Sequence, residues 1–500
     1  MKALLDTLEV RAIEFLTILY SEEKWWTEKE LSEIVGCSPD TTYRMIGYLK
    51  QFALTQTNVF EVITQKNKGI FLKTTTVHSI GEIECQYIMG TLGFKIMDKV
   101  FQSDELVIDD LAEMFHVSNS TIYRKLKSIK QFLELNNLSF NMSKLRVEGE
   151  EHLIREFFYR MYWSVIKGNN WPFQQSSFDD WLKIYEKKIT FIGLNLTSIE
   201  RLQFFYRLSI NLVRHNGGNF LVEGPDKVLI DPFHEKYAAD IKHFMPDNIP
   251  SHYFTNEVTF LSLILVSNPI FEEKYGDYQV KVTWHEERKT LPYEFSINLL
   301  RSIRKEYNNI DFGNTMRVLY KLLCTSLYAI IFSPLKIHYT DTRVFINKFA
   351  EENPHFYATI QRIVAAESAK MGKDVPDMDK EYLLYTILLI FSDSVNIGEL
   401  EERLYVKLIC NIEPLSESYL KQLLENTTHS RLVIHTSTTS DPLVNEYDLF
   451  LTDMAIKQIG HVPAKNEYIW DFPPTERDWN NIVTLLDRTS VANQTNGLAI

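Results

Sequence analysis

Apolar positions recur three and four residues apart through most of the chain and alternate like strands only near the front and in the last quarter. At the start, MKALLDTLEVRAIEFLTILY interrupts its apolar residues with Asp6, Glu9, Arg11 and Glu14, so it predicts an amphipathic helix and not a secretory leader. The longest later apolar run, YLLYTILLIF at 382–391, is too short to span a bilayer, and no membrane domain is expected.

The pattern repeats itself. Residues 31–50, LSEIVGCSPDTTYRMIGYLK, laid over residues 111–130, LAEMFHVSNSTIYRKLKSIK, share Leu31/Leu111, Glu33/Glu113, Ser38/Ser118, Thr41/Thr121, Tyr43/Tyr123, Arg44/Arg124 and Lys50/Lys130. Most other differences exchange one apolar residue for another. Each copy predicts two short helices joined by a tight turn. In the second, Leu111, Met114 and Phe115 give the first helix an apolar face, and His116 with Val117 turns the chain. Ser118 is a good N-cap, because its hydroxyl can accept a free amide of the next turn. Ile122, Leu126, Ile129 and Leu133 then point inward at helical spacing. The opposite face carries Ser120, Arg124, Lys127 and Gln131, flanked by Lys125 and Lys130. A hairpin follows each copy, FEVITQKNKGIFLK with a turn at 66–69 and LSFNMSKLRVEGEE with a turn near Ser143. Helix-turn-helix plus hairpin is a winged helix. Residues 1–80 and 81–165 are therefore expected to form a tandem pair.

From Ser118 to Lys130 the second copy holds four cations and no acid, in a chain with 53 Lys+Arg and 66 Asp+Glu. Short polar residues at the start of such a helix can approach base edges in a major groove, while the cations behind them meet phosphates. The candidate DNA contacts are Ser118, Asn119, Ser120, Thr121, Tyr123, Arg124, Lys125, Lys127 and Lys130, with Thr41, Tyr43, Arg44 and Lys50 in the first copy. Pro39, Asp40 and Gly47 replace Asn119, Ser120 and Lys127 there. The second copy is therefore expected to dominate affinity and the first to adjust register or site choice.

Behind this pair the spacing predicts long amphipathic helices in two bundles, 166–285 and 286–398, separated by breaks at KGNNWPFQQSS and EEKYGDYQVKVTWHEERKTLP. Their loops contain no glycine-rich phosphate cradle, GxSxG or HExxH, so neither an enzyme nor a cofactor is expected. Seven of the 13 histidines lie here: His215, His234, His243, His252, His285, His338 and His355. None pairs with another at i+3 or i+4, which gives no metal site. A phosphoryl acceptor would need a neutral, exposed ring nitrogen, and the bound group would add a charge of about −2. His215, beside Arg214 and ahead of HNGGNF, fits best, followed by His285 within WHEER, with His338 as the third candidate.

Over residues 399–488 the spacing turns to alternating strands and helices, RLYVKLIC, SESYLKQLLENTT, RLVIHTST, EYDLFLTD, EYIWDF and PTERDWNNIVTLLDR, predicting an α/β domain with a parallel sheet. Ligands of such sheets bind at the carboxyl ends of the strands, here CNIEPLSES, which offers Cys410 but no glycines to wrap an anion. The tail at 489–500 is expected to fray.

Length and charge fit this partition. A chain of 500 residues should divide into roughly three to five domains. The net charge of −13 argues against a non-specific nucleic-acid coat protein but leaves room for a local basic reading surface. Cys37, Cys85, Cys324 and Cys410 lie far apart without CxxC spacing, which suits a reducing cytoplasm.

Taken in order, a tandem pair of winged helices, two histidine-bearing bundles and a small α/β tail resemble the Mga/AtxA family of global and virulence regulators of Gram-positive bacteria. LAEMFHVSNSTIYRKLKSIK and the wing exit LRVEGEEHLIREFFY carry the likeness most specifically. The resemblance implies that the bundles are phosphotransferase-system regulation domains, phosphorylated on histidine by phosphocarrier proteins, and that the tail is similar to an enzyme IIB component. The chain departs from the family pattern in places. The usual regulation-domain motif has a histidine seven residues before an arginine, and Arg207 stands seven before Arg214. Cys410 stands where an enzyme IIB carries its phosphocysteine, but the glycine-rich loop is lost, favouring oligomerisation over transfer. The expectation is a cytoplasmic, mainly α, multidomain regulator of double-stranded DNA, acting as a homodimer or higher oligomer. An RNA-binding antiterminator or a phosphotransferase-pathway enzyme is the alternative.

Overall fold

A computed structural model describes residues 4–497 except 56–59, 75–79, 104, 193–195, 224–237, 240, 268–277, 308–309, 334, 338–341, 372–378, 402, 412–413, 428–431, 440–445 and 455–461. The chain divides into two compact units. One comprises Met1–Thr290, Leu327–Asp341 and Val375–Asp379, and the other Leu291–Ser326, Thr342–Asp374 and Lys380–Ile500.

In the first unit, helix α1 (Thr7–Ser21) opens at a capping box in which Asp6 accepts the Glu9 amide and Glu9 accepts the Asp6 amide. Thr27 and Glu30 repeat the device at α2 (Glu28–Val35), which turns through Gly36 at φ 66° into α3 (Pro39–Thr55). Strands β1 (Phe60–Gln65) and β2 (Gly69–Thr74) form an antiparallel wing, and β2 also bridges to Trp26. Gly69 is required there, because a Cβ would meet the Trp26 carbonyl oxygen at 2.1 Å. Phe15, Leu16, Leu31, Leu49, Val62 and Ile70 fill this head.

After α4 (Ile80–Gly90) and α5 (Leu92–Gln102) the arrangement recurs: α6 (Ile108–Phe115), α7 (Asn119–Glu134) and a short wing of β3 (Ser139–Asn141) and β4 (Arg146–Glu148). Helix α8 (Glu151–Ile166) follows at once and is buried along most of its length. It packs against α10 (Ser198–Asn216) and pairs through Arg155 with Glu257 of α11 (Ser251–Val266), and α9 (Phe178–Ile192) and α12 (Tyr278–Glu287) belong to the same unit. The last corrects the expected break at EEKYGDYQVKVTWHEERKTLP. Its buried stripe is Lys281, Val282 and His285, whose polar members disguised a helical spacing. Between 237 and 244 the described residues are helical, with 238, 239 and 241 in α-helix and Lys242–Phe244 in a 3-10 turn.

The second unit holds α13 (Leu291–Glu306), most of α14 (Thr315–Ile331), α15 (Thr342–Glu352), α16 (Pro354–Lys370) and α17 (Lys380–Ser394). After them comes a parallel sheet ordered β6 (Leu432–His435), β5 (Leu404–Ile409), β7 (Leu449–Thr452), β8 (Glu467–Ile469), with α18 (Pro414–Thr427) crossing from β5 to β6. Helix α19 (Glu476–Gly497) closes the chain, running through most of the stretch expected to fray. No described helix is long and apolar enough to cross a membrane.

Candidate nucleic-acid interface

The second head presents one rod. His116 takes the left-handed conformation at φ 52°, and the Ser118 hydroxyl accepts the Thr121 amide at 3.3 Å, so α7 starts where its cap dictates. Ile122, Leu126, Ile129 and Leu133 are wholly inside. Ser120, Tyr123, Arg124, Lys127 and Ser128 face out, with Tyr123 53% exposed. No ion pair engages Arg124 or Lys127 among the described residues. Lys130 is also exposed and lies 3.9 Å from Glu134. Asn119 donates to Asp109 at 2.6 Å, tying α7 to the start of α6. Beside it a cleft of about 450 Å³ opens between α6, α7 and the wing, lined by Val107, Asp109, Asn119, Tyr123, Ser143 and Leu145, among others. In the wing, Asn141 accepts the amides of Ser143 and Lys144 at 3.1 and 3.0 Å.

The first head repeats this burial pattern residue for residue over positions 39–49 of α3. Ser38 accepts the Thr41 amide at 3.2 Å, Met45, Ile46 and Leu49 are buried, and Tyr43, Arg44, Gly47 and Tyr48 are outside. Tyr43 is 72% exposed.

Two candidate contacts are corrected by this geometry. Lys125 is only 9% exposed and reaches inward, its Nζ 3.3 Å from Glu9 and 3.9 Å from Asp6 on the opening of α1. It lies three residues after Ile122 and four before Ile129, on the inward face, where the first copy has Met45. That alignment was the signal for its burial. Lys50, half-buried, donates to the Thr64 hydroxyl of β1 at 2.6 Å and so braces the first wing. Thr41, Thr121 and Ser118 are occupied by the caps.

Where α8 leaves the second wing it enters a buried charge network that the sequence reading missed. Arg155 pairs with Glu257 at 2.5 and 2.9 Å and with Glu151 at 2.8 Å, and Glu151 also accepts from Arg214. Glu156 accepts from Arg160, Arg207 and Tyr328. Arg207, at the position of the expected acceptor histidine, is thereby committed to an ion pair. Burial pushes the Glu257 carboxyl up, but hydrogen bonds from His215 and Arg155 and their charges hold it down at about 2. Asn136 clasps a later segment to the end of α7, its Oδ1 accepting the Lys336 and Ile337 amides at 2.8 and 2.9 Å.

Phosphoryl acceptance was assigned to exposed imidazoles, and the geometry corrects that too. His215 is buried with Nε2 2.9 Å from Glu257, its ring stacked on Phe220. His285 is buried with Nδ1 2.7 Å from the Thr290 hydroxyl. His338 lies outside the described residues.

At the carboxyl ends of β5 and β7, where a parallel sheet reverses its winding order and ligands bind, the site is filled from within. The Glu417 carboxylate accepts the Cys410 amide at 3.2 Å and the Ser437 amide and hydroxyl at 3.0 and 2.6 Å, and Asp453 accepts the Asn411 amide at 2.6 Å. Burial, with Asp453 and Glu417 adding to it, pushes the Cys410 thiol up to about 12, so it is held as an inert thiol.

Residues 77–162, which include the whole second head, match the Mga helix-turn-helix domain. The chain is 28% identical over 243 residues to the capsule synthesis positive regulator AcpB of Bacillus anthracis, covering 46% of this chain and 49% of that protein. It is 22% identical to the capsule synthesis positive regulator AcpA of the same organism, covering 73% of this chain and 76% of that one. A third relative, the anthrax toxin expression trans-acting positive regulator of Bacillus anthracis, is 22% identical over 51% of this chain and 54% of its own length. The aligned parts thus span about half the length of two of these relatives and three quarters of the other. Residues 77–162 thus carry the likeness to an Mga helix-turn-helix domain, and over the aligned parts the chain is similar to these positive regulators.

Proposed function

We propose that this chain is a cytoplasmic transcriptional regulator that binds double-stranded DNA, with α7 of the second head as the principal reading element. The observation that carries the reading is the outer face of that helix, on which Arg124 and Lys127 are exposed opposite a wholly buried apolar stripe. Arg124, Lys127 and Lys130 meet phosphates or base edges, and Ser120 and Tyr123 make polar contacts nearer the helix start. The positive-regulator names of the relatives favour control of transcription over nucleic-acid packaging.

Affinity for duplex DNA should therefore follow salt with a slope set by the phosphates neutralised, about 0.9 per contact. Removing both charges in Arg124→Ala/Lys127→Ala should flatten that slope by roughly 1.8 and weaken binding. Titration of a duplex selected from a random pool measures both, and unchanged affinity and slope in the double variant defeat the reading.

The finer reading adds self-association and control by phosphocarrier proteins. Since His215 and His285 are buried, phosphorylation of either requires the bundle to open, and at His215 it must also part the contact with Glu257. Incubation with the phosphocarrier proteins, followed by phosphohistidine mapping, tests it. Transfer confined to exposed histidines removes both residues from this role.

A further inference from the structure

Lys125 sits in the reading helix yet spends its charge on the other head. Its ammonium lies 3.3 Å from Glu9 and 3.9 Å from Asp6, and Glu9 simultaneously accepts the Asp6 amide at 2.7 Å in the box that opens α1. The carboxylate that starts the first head's leading helix is thus neutralised by the second head's reading helix. The backbone is fitted to this contact. Leu4 is buried, and its carbonyl oxygen would lie 2.5 Å from a Cβ on Gly93 in α5, so only glycine admits the approach. The Lys125 side chain closes the same spot, its Cδ 3.5 Å from that Cβ position. In the first head the equivalent residue, Met45, is simply core.

We infer that Lys125, Glu9 and Gly93 form a pin that holds the two winged helices at a fixed spacing and orientation, so that they read DNA as one bipartite unit. Lys125 is a positioning residue and touches no phosphate. This rests on the DNA-reading proposal above. A buried cation with its partner removed is strongly destabilising, whereas replacing both charges together is far better tolerated. The decisive variant is therefore Lys125→Met/Glu9→Gln, in which the second head takes the first head's own residue.

The experiment uses the full chain and the duplex it selects from a random pool. Hydroxyl-radical footprinting should give two protected patches. Inserting about five base pairs between them, roughly half a helical turn, puts the two half-sites on opposite faces of the duplex. For the wild type and for Lys125→Arg, which keeps the ion pair, affinity should fall by about tenfold or more, because linked reading units lose their avidity when geometry forbids joint engagement. For Lys125→Met/Glu9→Gln the same insertion should cost less than about threefold, with the salt slope unchanged. A single footprint patch, or full phase dependence in the double variant, overturns the pin. So does a salt slope lowered by about one in Lys125→Met, which would make Lys125 a phosphate contact. Recovery of no duplex from the pool removes the DNA reading itself, and unchanged binding by Arg124→Ala/Lys127→Ala removes α7 as its face; both are read with the Lys125–Glu9 contact intact, so neither is confused with failure of the pin.

Discussion

Met45 and Lys125 stand at the same place in the two winged helices, and so do Gly47 and Lys127. Inside, the heads are nearly interchangeable: Ile46 and Leu126, and Leu49 and Ile129, occupy matching buried positions. Outside, one offers Tyr43, Arg44, Gly47 and Tyr48, while the other offers Ser120, Tyr123, Arg124 and Lys127. Periodicity dictates which positions face inward, because one apolar stripe must be hidden for the helix to pack at all. It leaves the outer residues free, so a duplicated fold can keep its core while its two surfaces take different parts in recognition. The pinning lysine is the exception, an inward position given to a charge because its partner head supplies the counter-charge.

The sharpest way to break this comparison is to delete the same arginine from each head. Arg124→Ala should lower duplex affinity by about 1–3 kcal/mol, and Arg44→Ala by clearly less. Equal losses in a filter-binding titration would mean the heads share the load. Next in size, Gly47→Lys gives the first rod the cation it lacks; the salt slope should steepen by about 0.9, and no change would put that face out of reach of the backbone. Lys50→Ala should cost the first wing roughly 1 kcal/mol through its lost bond to Thr64, read as faster amide exchange in β1 and β2 with DNA affinity almost untouched. The smallest effect is chemical. Cys37 of the first head is half-buried, whereas burial pushes Cys85 up to about 11 and Cys410 up to about 12. At pH 8 a thiol reagent should label Cys37 first and reach the other two only on unfolding, as peptide mapping would reveal.

Away from both heads, the buried network makes a prediction of opposite sign to surface charge. Glu257 is held at about 2, below its unfolded value, so the stability it contributes is present above about pH 4.5 and is lost as the pH falls towards 2. Thermal melts of Glu257→Gln should be lower than wild type at pH 7 and converge with it in acid. Parallel curves would assign the effect to packing alone.

Much of the architecture was legible because it rests on local patterns: the eighty-residue repeat, the cap at Ser118, the glycine turn of the first wing, and the strand spacing after Leu404. What escaped was what charge does inside. Lys125 reads as one more cation of a basic helix until its register with Met45 is taken seriously. Lys281 and His285 broke the apolar stripe of α12 and made a helix look like a break. The partners of Arg155 and Glu156 lie up to a hundred residues or more along the chain, a distance across which no periodicity speaks. His215 looked available because a sequence lists neighbours along the chain and not the carboxylate of α11 that faces it.

Asn136 holds the backbone at Lys336 and Ile337, and Arg160 donates to the Ile337 carbonyl at 3.1 Å. The second head is therefore finished by a strip of chain two hundred residues downstream of its own recognition helix. Truncating the chain after Ile166 would remove the buried Leu335 and Ile337 and leave the Asn136 carboxamide without its backbone partners. The second head is thus no detachable cassette, and whatever pulls on that distant strip pulls on the root of the proposed reading helix.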